Sequence, residues 1–231
     1  YCAESATLAR GRGDNRGEAW ALIFLAHVFG DQREFAAARA IGAEAVTIFR
    51  AIDDRAGLVR ALNGAGEDAQ VMGDFARAEG LYRESLAIDR ELGDAVGLIL
   101  RQVNLGYVVL RRGAVSEAAS LFRDGLLASR ALDHRRGIAN CLNGLANVAI
   151  TLGQYVTGVT LYAATESIRE AIGETVGVVS NQENERYIAH ARDMLGSGPF
   201  ADALVSGRTL PIREALAVGL DIADTALTGA P

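Results

Sequence analysis

Lysine is absent from this chain, so all 23 basic side chains are arginine, and cysteine (2), proline (3) and histidine (3) are scarce. Each shortage removes a class of explanation. Cys2 and Cys141 are too few and too far apart to build a disulfide framework, which fits a reducing compartment. His27, His134 and His190 each lack a second His or Cys at ligand spacing, so no metal site and no other cofactor are expected. A net charge of −6 leaves no clustered basic face for phosphates, which argues against direct binding of nucleic acid. No run reaches the ~18 apolar residues of a membrane span, and no signal-peptide pattern opens the chain, so a cytoplasmic protein is expected. Half of the residues are apolar and proline rarely interrupts them, which leaves a chain able to bury a core and to continue helices.

What is present is a repeat. Gly17, Gly57, Gly97, Gly137 and Gly177 are spaced by 40 residues, and a strict period of this length signals a repeat architecture in which each unit packs mainly on its neighbours. The frame gives full repeats at 15–54, 55–94, 95–134 and 135–174, with a fifth first helix at 175–195. Residues 3–14 align with 43–54, so the chain is expected to begin in the second helix of an earlier repeat and to be a piece of something longer. The predicted object is one domain over 1–231: an all-α, right-handed solenoid of helical hairpins, closed by C-terminal capping helices at 196–231.

Within each repeat the residues read as two helices. Helix A is seeded at Asp14, Asp54, Asp94 and Glu174, where an acid complements a helix N-terminus; His134 breaks that column. Leu25, Ala65, Leu105 and Leu145, with Val28, Val108 and Val148, mark its apolar face, and Ala26, Gly66, Gly106 and Ala146 form a small column that admits a close neighbour. Gly73, Gly113 and Gly153 end helix A, with Arg33 departing in the first repeat. Helix B carries one apolar stripe, Phe75, Ala78, Leu81, Tyr82, Ser85, Ile88 and Leu92, repeated in columns such as Ile52, Leu92, Leu132 and Ile172. Past Ala191 the frame fails. Gly196 to Pro199 break the chain, a short helix is expected from about Phe200, and Thr209 is placed as the cap of a last helix from Pro211 to Leu227, the pair forming a lid over the end of the last repeat.

Asn104-Leu105-Gly106 followed by Gly113, Ala118, Phe122 and Gly125 has the order of tetratricopeptide repeats, and the chain resembles that family over nearly its whole length. It departs in lacking the usual proline at the repeat end and in its period of 40. The long period, with Arg90 to Asp94 (RELGD) and Arg136 to Ala149, resembles the MalT-like repeat region of large bacterial regulators: LuxR-type transcriptional regulators, signalling ATPases and some adenylate cyclases. Leu161 to Gly173 and Gly207 to Leu220 are similar to the closing segment of such regions. The resemblance implies a non-catalytic scaffold that binds protein segments or effectors and couples them to neighbouring domains of a longer chain. A structural spacer, an oligomerisation module, or an accessory domain of an ATPase or cyclase remains the alternative.

No catalytic group is expected, because no nucleophile is placed with a base and no carboxylate pair with a cleft. Asn63-Gly64-Ala65-Gly66 lacks the preceding strand and following lysine of a phosphate loop. Arg12-Gly13-Asp14 falls on a turn between helices, and Cys141 shares its column with Ala21 and Ala61 as a small packed side chain. The candidate surface is the face of helix A at columns 20, 23, 27 and 30. It is expected to line an open groove with Trp20, Ile23, His27, Arg60, Gln70, Leu100, Val103, Asn140, Ser180, Glu183 and His190 around the binding candidates Asn63, Glu67, Tyr107, Asn143, Asn147 and Tyr187. Asn and Tyr both donate and accept, which suits a bound peptide backbone or small effector. Leu100, Val103 and Leu110 on that face suit a partner helix or a second copy of the chain.

Overall fold

A computed structural model gives the structure of residues 1–174 and 178–229, and of 178–183 the backbone alone. Gly177 lies outside the described residues, as do the side chains of Ser180 and Glu183. All regular structure among the described residues is helical, in the order α1 (Cys2–Gly11), α2 (Asn15–Asp31), α3 (Phe35–Ala51), α4 (Arg55–Val71), α5 (Phe75–Leu92), α6 (Ala95–Arg111), α7 (Val115–Ala131), α8 (Arg135–Thr151), α9 (Tyr155–Ala171), α10 (Val178–Leu195), α11 (Ser197–Arg208) and α12 (Ile212–Thr228). Even numbers from α2 to α10 are A helices and odd numbers from α1 to α9 are B helices, so the all-α helical repeat read from the sequence is the fold. The chain forms two compact units, Tyr1–Arg101 and Gln102–Pro231.

The glycine column has one local cause. The backbone N–H groups of Gly17, Gly57, Gly97 and Gly137 donate to the side chains of Asp14, Asp54, Asp94 and His134 at 2.8, 2.9, 2.9 and 3.1 Å. Each satisfies an orphan donor in the first turn of an A helix. His134 therefore alters the residue type of the capping column without breaking its role, because its Nδ1 accepts as a carboxylate does. A Cβ on Gly57 would run into the Phe49 ring, and one on Gly17 into its own Asp14 cap.

The turn after helix A needs a left-handed residue. Gly73, Gly113 and Gly153 supply it at φ between 77° and 84°, and Arg33 adopts the same conformation at φ 62°. Ion pairs repeat with the frame as well. Arg10–Glu44 and Arg50–Glu84 (2.6 and 2.5 Å) are one pair in successive repeats, and Arg16–Asp54 and Arg136–Glu174 (2.8 and 2.5 Å) are another, three repeats apart.

In the first unit α1 packs on α2, α2 on α3, α3 on α4 and α4 on α5. Its core holds Leu22, Phe49, Leu58, Leu62 and Ile88, with Trp20 edge-on to Phe49 at 5.6 Å. In the second unit α8 lies between α7 and α9 with thirteen of its residues buried. The B-helix stripe is narrower than the sequence implies. Leu92 and Leu132, at the C-terminal end of helix B, are 48% and 50% exposed, whereas Ile52 of the same column packs half-buried against the core. Val28 is likewise exposed while Val108 and Val148 are buried.

Of the two C-terminal helices predicted as a lid, α11 runs along α9 of the last full repeat and touches α10, with Gly207 against the Thr160 carbonyl, and α12 lies along α7, α8 and α9. A stripe of small residues, Ala215, Gly219, Ala223 and Ala226, lets α12 approach closely, with Gly219 over Leu126, Leu142 and Leu145. Ser116 Oγ donates to the Ala226 carbonyl at 2.8 Å. Thr209 does not cap α12: its hydroxyl bonds back to the Ser206 carbonyl at 3.2 Å and so finishes α11, while Pro211 precedes α12 without a side-chain cap.

Candidate polar clusters on the A helices

Three A helices of the second unit bring polar side chains to one place. α6 supplies Tyr107, α8 supplies Asn143 and Asn147, and α10 supplies Asn184. Asn143 Nδ2 donates to Asn184 Oδ1 at 2.5 Å and to the Tyr107 hydroxyl at 2.8 Å, and Asn147 Nδ2 donates to the same Asn184 oxygen at 3.3 Å. The Tyr107 ring stands edge-on to Phe122, with centroids 5.2 Å apart, which fixes its hydroxyl towards the asparagines. Asn140, one turn before Asn143, accepts from Arg169 at 3.1 Å, and Arg169 also donates to Glu166 at 2.7 Å.

This geometry corrects the open groove wall. Asn143 and Asn147 are 0% exposed, and Tyr107, Val103 and Ile23 are buried too. The reason is that in the second unit columns 23 and 27 of α6 and α8 meet the adjacent A helices, so what lies on the surface of an isolated helix is covered once helices stack. Asn63, Glu67 and Tyr187 are half-buried, whereas His27, Arg60 and His190 are exposed. Tyr187 packs beside Ile150 and Val159, and Tyr155 stands edge-on to His190 at 5.6 Å.

The first unit holds a second cluster. Asn63 Nδ2 donates to Glu67 at 2.7 Å, and Arg101 donates to Asn63 Oδ1 at 2.9 Å while its Nε stands 3.4 Å from Asp89. Burial pushes the Arg101 guanidinium below its ordinary range, with Asp89 and then Glu67 opposing the shift. Burial likewise raises the Asp89 carboxyl against the pull of Arg101. The Tyr82 hydroxyl, raised well above its usual range by burial, lies 3.4 Å from Gln70.

Arg101, Asp89 and Asn184 are members of these clusters that the repeat reading passes over, yet each leaves a signal in the sequence. Arg101 occupies the column of Ala21, Ala61 and Cys141, so a large charge among small side chains has to find a partner, and Asp89 is an acid in the column of Phe49, Ser129 and Arg169. Asn184 and Asn104 are polar in a column otherwise held by Phe24, Gly64 and Gly144.

Other features are structural in character. Asn63 to Gly66 lie in the interior of α4, with no turn to cradle a phosphate. Cys141 is enclosed, and burial pushes its thiol up to about 12, with the neighbouring Ser129 hydroxyl opposing. A recess of about 370 Å³ opens between α3, α4 and α5 over Phe49, Leu58 and Ile88, rimmed by the ion pairs Arg50–Glu84 and Arg55–Glu91. Among the described residues no three His, Cys, Asp or Glu side chains converge as metal ligands, and no helix is long and apolar enough to cross a membrane. Residues 17–91 match the tetratricopeptide repeat family. No curated protein matches the chain.

Proposed function

Because the chain carries a tetratricopeptide repeat region over residues 17–91, we propose that it is a non-catalytic scaffold whose A helices recognise a protein segment or small effector. On this reading it serves as the sensory or coupling part of a larger cytoplasmic regulator. The observation that carries it is the convergence of Tyr107, Asn143, Asn147 and Asn184 from three A helices, four side chains that all donate and accept. Hydrophobic packing alone does not require them, and binding sites draw specificity from a few convergent polar groups. The half-buried Asn63, Glu67 and Tyr187 extend the recognition surface on the A helices of their own units. The 40-residue period, similar to that of MalT-like regulators, supports the regulatory role. A ligand there acts on neighbouring domains only if it binds one arrangement of the repeats better than another.

Display of random dodecapeptides against the full chain tests the reading. Selected peptides are expected to lose more than ~1 kcal/mol of affinity on Asn147→Leu or Tyr187→Ala if those side chains are hot spots. No selected peptide, or peptides indifferent to both substitutions, would refute it, and turnover of ATP by the purified chain would overturn its non-catalytic part.

A further inference from the structure

The asparagine cluster is incompletely bonded in a way that specifies a guest. Asn143 Oδ1, Asn147 Oδ1 and Asn184 Nδ2 are all shielded from water and have no hydrogen-bond partner among the described residues. Three such atoms within one cluster of a folded protein call for a cause. Asn143 and Asn147 lie one helical turn apart on α8, so each presents an amide N–H and an amide carbonyl to the same place. Asn184 meets only the two N–H groups, through its oxygen, and its own NH2 is idle while two carbonyls stand unpaired.

Resting on the reading of the A helices as the recognition surface, we propose that Asn184 occupies the place of a primary carboxamide supplied by a partner, the side chain of an Asn or Gln in a bound peptide. One carbonyl accepting from both Asn143 and Asn147, and one NH2 donating to both of their oxygens, satisfies all four groups at once. Other groups match less well. A carboxylate sets its charge against two carbonyl oxygens, an ammonium has no acceptor, and a hydroxyl carries a single hydrogen. Exchanging oxygen and nitrogen in the amides does not alter the match, since turning all three over leaves the complement a primary carboxamide. The backbone that carries Asn184 is anchored further along α10. Ala191 is fully buried with Phe200 and Ala203, and Arg192 lies 4.7 Å above the Phe200 ring. A carboxamide on a separate chain has no such tether, and enters when the Asn184 side chain swings out.

The test measures binding of N-acetylglutamine methylamide to the full chain by the shifts of the Asn143 and Asn147 side-chain amide resonances, with N-acetylglutamate methylamide as the control. Asn184→Ala empties the place and is expected to tighten the glutamine probe by about tenfold over wild type, with no gain for the glutamate probe, and Asn147→Leu added to it is expected to abolish the gain. No gain in Asn184→Ala, or an equal gain for both probes, overturns the proposal. A second measurement needs no variant of the chain: each peptide selected by display on the wild type must contain an Asn or Gln whose replacement by Ala weakens binding about tenfold. Selected peptides that bind but tolerate loss of every Asn and Gln overturn this inference and leave the scaffold reading standing. A display that selects no peptide counts against that reading, and the probe measurement then decides the carboxamide place by itself.

Discussion

Phe122 offers the sharpest perturbation of the repeat packing. It is fully buried in the second unit and edge-on to Tyr107. Its ring is clamped between two A helices: a Cβ added at Gly106 would stand 2.7 Å from it, and one at Gly144 closer still. Replacing Phe122 by Ala should cost ~3–5 kcal/mol through the cavity, with ~1 kcal/mol of that class of loss attached to the aromatic pair. Gly144→Ala is the more informative change. In a free helix, Ala is better than Gly by ~1 kcal/mol, but overpacking against a ring that cannot retreat costs ~1–3 kcal/mol. The net effect in the wild type is destabilisation of about 1 kcal/mol. With Phe122→Ala in place the obstacle is gone, and the same substitution should stabilise by ~1 kcal/mol, through helix propensity and partial filling of the cavity. The double-mutant cycle therefore predicts a reversal of sign and a coupling of ~2 kcal/mol. Urea unfolding followed by far-UV circular dichroism measures all four corners. An effect of Gly144→Ala that has the same sign and size in both backgrounds would show that the ring does not set the requirement for glycine.

Arg33 is exposed and holds a left-handed backbone where its equivalents are glycine, so Arg33→Gly should raise stability by ~1 kcal/mol in urea titration; a loss would show that its side chain carries compensating contacts. Burial raises the Asp68 carboxyl, with His27 opposing, Glu67 adding and Arg77 opposing, so the folded chain keeps this proton to higher pH than the unfolded chain. Its stability contribution is thus present in acid and is lost as pH rises through the carboxyl range. Asp68→Asn should accordingly match wild type in acid and exceed it towards neutral pH, and an advantage that is constant with pH would contradict this. Cys141 is enclosed with its thiol at about 12 while Cys2 is part-exposed, so a thiol reagent should titrate one equivalent in the native chain and two in denaturant. Rapid native modification of Cys141, found by peptide mapping, would mean that the core around α8 opens readily.

The alternation of A and B helices, their capping residues and their turns were legible in the sequence because each depends on residues a few positions apart. The Asp14, Asp54 and Asp94 caps act on glycines three residues on, and the left-handed turn at position 73 recurs at 113 and 153. A period of 40 turns these local rules into a register, and the register places Arg10–Glu44 and Arg50–Glu84 alike. The site was legible only in part. Tyr107, Asn143 and Asn147 stood out by residue type, but their burial and their meeting with Asn184 follow from how three helices stack.

Single columns cannot reveal such pairings, because each interface between helices carries its own complement: Asp89 with Arg101 in one, Ser129 with Cys141 in another. The placement of α12 lay furthest from the sequence reading. Once the repeat frame ends, no period predicts where an amphipathic helix will lie, and its side chains reveal only that it packs closely. That it settles along α7, with Ser116 bonded to Ala226 across 110 residues of chain, was decided by the tertiary structure, since only there do the small stripe of α12 and the leucines of α7 and α8 meet.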